Sequence, residues 1–223
     1  SSVPSPPVVN FDLEPEHELL RDTVRQFALE KIAPVAEELD REKRFPYELV
    51  AELAELGLLG MTIPEDYGGS GTDTLSYALA VEELTRIDSS VAITVAAHHS
   101  LGTMPIYLFG SEEQKQQWLP ELASGHRLAA FGLTEPDAGS DAGATRTTAR
   151  LEAGEWVIDG SKIFITNAGT DITACVTITA LTGDGEISNL IVPNDAPGYV
   201  ISPPMEKLGW RASDTRELSF QGA

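Results

Sequence analysis

The sequence predicts an α+β chain in two regions: an N-terminal all-α domain over residues 1–128, then a small antiparallel β-barrel or sandwich over residues 129–223. Two observations carry this. Up to Gly125 the apolar residues recur with the 3.6-residue period of a helix face. Beyond it they alternate with the period of two that marks a half-buried strand, and turn pairs break the pattern repeatedly.

Residues 1–12 are Pro/Ser-rich and carry no Lys or Arg, so they read as a loose tail and not as a signal or transit peptide. Over residues 14–40, Leu20, Val24, Phe27, Ile32, Val35 and Leu39 fall on one helical face, and Pro34 is expected to kink it. Pro46 and Gly57 bracket a second helix built on Leu49, Val50, Leu53 and Leu56. Residues 72–88 predict a helix burying Leu75, Leu79 and Leu84. Residues 89–109, apolar nearly all round, predict one central buried helix. Ser111 and Gln114 form a capping box that opens the last helix. Strands are expected at residues 145–151, 155–159, 162–166, 172–181, 187–192, 199–202 and 217–220. The turns lie at Ala153-Gly154, Asp159-Gly160, Gly183-Asp184-Gly185 and Ala196-Pro197-Gly198. Seven short strands imply a small barrel or sandwich.

The net charge of -20 makes nucleic acids and anionic membranes poor partners. No apolar run is long enough to span a bilayer, and a cytoplasmic location is the default, or an organelle matrix if a leader has been removed. The single cysteine, Cys175, excludes an internal disulfide and a multi-thiolate metal site, and its apolar surroundings read as a buried strand. Gly68-Gly69-Ser70-Gly71 lacks the preceding strand and the Lys-Ser/Thr ending of a phosphate loop and reads as a flexible connection. Adjacent His98 and His99 would diverge by about 100° on a helix, so no metal site is expected. Glu82-Glu83 and Glu112-Glu113 read as solvated helix faces. Serine hydrolysis has no supporting elbow.

Residues 131–141, Phe-Gly-Leu-Thr-Glu-Pro-Asp-Ala-Gly-Ser-Asp, are different in kind. An apolar run turns through small residues and offers backbone N–H groups and the Thr134 and Ser140 hydroxyls, donors suited to carbonyl or phosphate oxygens. Glu135 reads as a carboxylate that shapes this loop by accepting backbone N–H bonds. Residues 160–169 follow as a strand ending in Phe164, Ile165 and Thr166, then a turn. Residues 63–71, 109–125 and 207–215 complete an ordered set of five segments. Together they resemble the acyl-CoA dehydrogenases over essentially the whole chain after the tail.

The resemblance implies an N-terminal helical domain and a middle β-domain, with the family's C-terminal four-helix domain unmatched here. It implies FAD as cofactor. Phe131, Leu133, Thr134, Gly139, Ser140, Phe164, Ile165 and Thr166 are the implied flavin contacts, and Ser140 also the implied substrate contact. The implied reaction is α,β-dehydrogenation of acyl-CoA thioesters in fatty-acid β-oxidation, with an electron-transfer flavoprotein as acceptor and a homodimer or homotetramer as the assembly. The family's base belongs to the unmatched domain, so no catalytic residue is expected in these 223 residues, which alone are expected to be inactive. Residues 99–102, 143–144 and 147–150 point to the short-chain, butyryl-type branch. An acyl-CoA oxidase on the same fold, or a non-catalytic subunit or fragment, are the alternatives.

Overall fold

The computed structural model describes residues 11–223; the expected tail lies outside the described residues except for Phe11 and Asp12. Among the described residues, seven α-helices precede a seven-stranded sheet. Helix α1 (Pro15–Phe27) starts on a proline and runs into a π-helical turn, Ala28–Ile32. Pro34 then separates that turn from α2 (Ala36–Glu42), as its missing N–H requires. Helix α3 (Tyr47–Glu55) ends before Gly57, whose φ of 73° is the left-handed conformation that a helix exit needs.

Helix α4 (Thr74–Thr85) is capped by the Asp73 carboxylate, which accepts from the Ser76 N–H. It buries Ser76, Ala80, Glu83 and Leu84 and leaves Leu75 exposed, so its inner face is rotated from the expected one. The reason is tertiary. Small residues on this face let α1 pack close, and Arg25 of α1 reaches Glu83 with two hydrogen bonds, at 2.9 and 2.7 Å. Glu83 is therefore not solvated: it is 3% exposed, and the Arg25 guanidinium holds its carboxyl below the usual range.

The central helix is interrupted. Helix α5 (Ser89–Ala96) passes into a π-helical turn, Ala97–Thr103, before α6 (Met104–Phe109). Helix α7 (Glu112–Ala123) carries the reciprocal Ser111–Gln114 capping box. The glycines of residues 68–71 do not form a loose connection. Gly69 N–H donates to Pro64, Ser70 to Gly60 and Gly71 to Ile63, and a Cβ on Gly69 would fall 2.0 Å from the Ile63 carbonyl oxygen.

The strands are β1 (Leu128–Gly132), β2 (Thr148–Glu152), β3 (Glu155–Thr166), β4 (Thr173–Leu181), β5 (Ile187–Pro193), β6 (Tyr199–Ile201) and β7 (Thr215–Gln221). Their order is β1-β4-β2-β3-β7-β6, with β5 also on β4. Asp159-Gly160 is not a turn: β3 runs straight through it, paired with β7. Gly160 is needed there because a Cβ would meet the Thr147 hydroxyl at 2.5 Å. Most pairs are antiparallel as expected, but β4 runs parallel to both β1 and β2, which makes the sheet mixed. The expected strands lacked β1, whose apolar run has no alternation because both of its faces are covered.

Three apolar cores follow. The helical core includes Leu128, and the sheet core gathers Ile158, Ile165, Val176, Ile178, Leu218 and Phe220. Between them, Ile106, Leu119 and Leu122 pack on Ala129 and Cys175. His98, fully buried, accepts from the Ala129 N–H at 3.1 Å through Nδ1 and donates from Nε2 to the Leu122 carbonyl at 3.0 Å. His99 turns instead to the Thr62 hydroxyl at 2.8 Å. The two imidazoles thus serve the packing of separate elements.

Candidate flavin-facing loop

Strand β1 delivers residues 133–147 to the outer end of β3. The two segments are tied directly, because the Ile163 N–H donates to the Thr134 carbonyl at 2.8 Å. The turn at Pro136-Asp137 closes through mutual backbone bonds between Glu135 and Ala138 at 2.9 and 3.2 Å. Glu135 plays the part read for it. Its carboxylate accepts from the N–H groups of Arg146 at 2.7 Å and Thr147 at 3.1 Å, pinning the far end of the loop to its start.

Lys162 completes this arrangement, and the sequence reading passed over it. It is 0% exposed, and its ammonium donates to Glu135 Oε1 at 2.7 Å, the Thr179 hydroxyl at 2.9 Å and the Leu133 carbonyl at 3.3 Å. Burial lowers the Lys162 pKa against the pull of Glu135. Burial also opposes ionisation of Glu135, but Lys162 and the two backbone donors outweigh it and bring that carboxyl below its usual range. The position carried a usable signal. Lys162 shares its parity along β3 with buried Ile158, and a cation on an inward face needs a partner. Gly132 is bare for the same reason: a Cβ there would sit 3.1 Å from the Lys162 stem.

The expected ligand contacts gather around these two segments with unequal access. Leu133, Gly139 and Ser140 are exposed, Thr134 and Phe131 half-buried. On β3 the β3–β7 register slips between Lys162 and Ile165. Phe164 sits in that irregularity at φ 63°, in the left-handed region that costs a non-glycine residue about 1–3 kcal/mol. The residue is 63% exposed. Ile165 turns its side chain into the sheet core and leaves only its main chain on this side, whereas Thr166 is half-buried. Among the described residues, the hydroxyls of Thr134, Ser140 and Thr166 have no hydrogen-bond partner. A strained exposed aromatic residue beside unspent donors is a surface suited to a flat, oxygen-rich ring.

Two family models match this chain. The acyl-CoA dehydrogenase N-terminal domain covers residues 14–126, and the acyl-CoA dehydrogenase middle domain covers residues 130–223. The chain belongs to the acyl-CoA dehydrogenase family. It is 50% identical over 218 residues to a probable acyl-CoA dehydrogenase of Bacillus subtilis, covering 96% of this chain and 57% of that protein. The butyryl-CoA dehydrogenase of Megasphaera elsdenii superposes with a TM-score of 0.90 at 39% identity, over 96% of this chain and 57% of that one. An acyl-CoA dehydrogenase from Bacillus anthracis, solved with FAD, superposes with a TM-score of 0.87 at 41% identity, over 95% of this chain and 36% of that one. The chain thus spans a little over half the length of the curated relative it matches.

The segment at residues 207–215, also singled out in the sequence, folds as a separate staple. Lys207 donates to the Ser213 carbonyl at 2.8 Å and to the Ser213 and Thr215 hydroxyls at 2.7 Å each. Among the described residues, no three His, Cys, Asp or Glu side chains group as a metal site, and no helix is long and apolar enough to cross a membrane.

Proposed function

We propose that this chain forms the flavin- and acyl-CoA-facing part of a short-chain acyl-CoA dehydrogenase, with FAD as cofactor and an electron-transfer flavoprotein as electron acceptor. The carrying observation is the pair of tied segments bearing the unpartnered Thr134, Ser140 and Thr166 hydroxyls beside the outward, strained Phe164. The residues fit the group. Leu133 and Thr134 would offer backbone N–H donors to the ring's carbonyl edge, Phe164 an apolar cover, and Thr166 a hydroxyl at the strand end. Phe131 and Gly139 would line the approach, and Ser140 would meet phosphate or the CoA arm. FAD, when bound, would take up the two electrons removed in forming the α,β double bond. Donors fixed at a site where negative charge develops stabilise it without reorganisation.

Glu135 is not the group that takes the α-proton, because both its oxygens are engaged by Lys162 and two backbone N–H groups. We assign that proton transfer to a residue outside these 223, so the chain alone would turn over no acyl-CoA. The experiment is purification of the full-length protein and addition of butyryl-CoA without oxygen. The reading requires a yellow protein whose flavin absorbance bleaches. A colourless protein that also refuses added FAD would end it. Thr166→Ala is expected to slow flavin reduction by roughly 1–3 kcal/mol of barrier while leaving the melting point within a few degrees.

A further inference from the structure

We propose that Lys162 is a positioning residue for the cofactor loop: by drawing the Leu133 carbonyl inward, it turns the Thr134 N–H outward toward the ligand face. This rests on the flavin reading above. No cis peptide bond occurs among the described residues, so the Leu133–Thr134 peptide is trans. In a trans peptide the C=O and the following N–H point in opposite directions across one plane. The direction of one therefore fixes the other. The Leu133 oxygen is held by the Lys162 ammonium at 3.3 Å, on the buried side between β3 and β4. Lys162 is carried by β3, which is paired with β7, and also holds Thr179 of β4, so it cannot follow the loop outward.

The next peptide is fixed separately. The Thr134 carbonyl accepts from Ile163 and the Glu135 N–H donates to Ala138. Those bonds stop the loop from sliding, and Gly132 leaves room for the Lys162 stem. The Thr134 N–H donates to no group among the described residues. An ordered loop thus keeps one N–H unspent on the side away from the buried Lys162 ammonium. A buried, fully partnered lysine is costly to keep, and two backbone N–H groups with Glu135 would already close the loop. The additional contact to Leu133 is what the lysine adds.

The test compares the full-length parent with Lys162→Met/Glu135→Gln, which removes both charges together, and with Thr179→Val, which loses an ammonium partner but leaves Leu133 held. FAD affinity, the visible spectrum of bound flavin and the melting point are measured for each. The double variant is expected to bind FAD at least tenfold more weakly with a shifted flavin band, and Thr179→Val to stay within about twofold of the parent. Equal affinity and spectrum in double variant and parent would overturn the proposal. So would equal weakening in both variants, which marks a merely structural lysine. The Thr134 amide gives a reading that needs no variant to fold. It is expected to exchange rapidly with solvent in the flavin-free parent and to become protected when FAD is added. Slow exchange without FAD would refute the outward orientation. A parent that binds no FAD at all refutes the flavin reading instead, while the amide exchange still decides the orientation.

Discussion

His98 makes the stability of this protein depend on pH in a direction that its structure dictates. The ring is 0% exposed, with one nitrogen accepting from Ala129 and the other donating to Leu122. Only the neutral imidazole satisfies both partners, and burial pushes its pKa down to about 4. An unfolded histidine titrates near 6.5. As pH falls below that value the unfolded chain takes up a proton that the folded chain refuses, so stability present above about pH 6.5 is lost on the way down to about pH 4. Between pH 7 and pH 5 this amounts to about 2 kcal/mol, and to about 3 kcal/mol once the folded ring also protonates. His99, lowered by burial as well, acts with the same sign. Against a typical net stability of about 5–15 kcal/mol this is a large fraction. The assay is urea unfolding at pH 7, 6 and 5 for the parent and for His98→Gln, which has nothing to titrate at that position. Whatever the variant's absolute stability, its loss between pH 7 and 5 is expected to be smaller by about 2 kcal/mol. Identical pH slopes, or a His98 ring that titrates near 6.5 in the folded protein by NMR, would refute the reasoning.

Other outcomes follow from single contacts. Glu135→Ala strands Lys162 without its counter-charge and leaves the Arg146 and Thr147 N–H groups unpaired; a loss of about 3–5 kcal/mol is expected in denaturant unfolding. Glu135→Gln, which keeps an acceptor for the backbone, is expected to lose less. Gly102→Ala would place a Cβ 2.4 Å from the Ala129 carbonyl oxygen, so a shift of β1 and a loss of about 1–3 kcal/mol are expected in the melting curve. Cys175 is 0% exposed with its thiol pushed up to about 12 by burial, so a thiol reagent at pH 8 is expected to label it only under denaturant. Labelling of native protein within minutes would mean that β4 opens.

What the sequence disclosed is what neighbours along the chain decide. The Ser111–Gln114 box, the break at Pro34 and the exit at Gly57 rest on backbone chemistry within a few residues, and each stands where it was expected. The rotated face of α4 and the burial of Glu83 were hidden, because Arg25 lies 58 residues away in sequence. β1 escaped because a doubly covered strand loses the alternation used to find it. Asp159-Gly160 has the composition of a turn, yet its glycine answers a steric demand from Thr147 across the sheet. The loop after β1 and its Glu135 were legible as a chemical pattern. The role of Lys162 was not, because a lone lysine in a strand acquires meaning only once Leu133, Glu135 and Thr179 are brought around it.

One family model ends at residue 126 and the next begins at residue 130, and the physical seam does not follow that border. β1 contributes Leu128 to the helical core, Ala129 to the core between the two regions and Ala130 to the sheet core, within three consecutive residues. A cut at this border, sensible by sequence, would pull one strand out of three hydrophobic interiors at once and strip His98 of its backbone donor. The helical half is therefore a poor unit for excision, grafting or exchange between relatives. A recombination point that keeps residues 98–130 of one parent together would swap the modules while leaving the rivet between them intact.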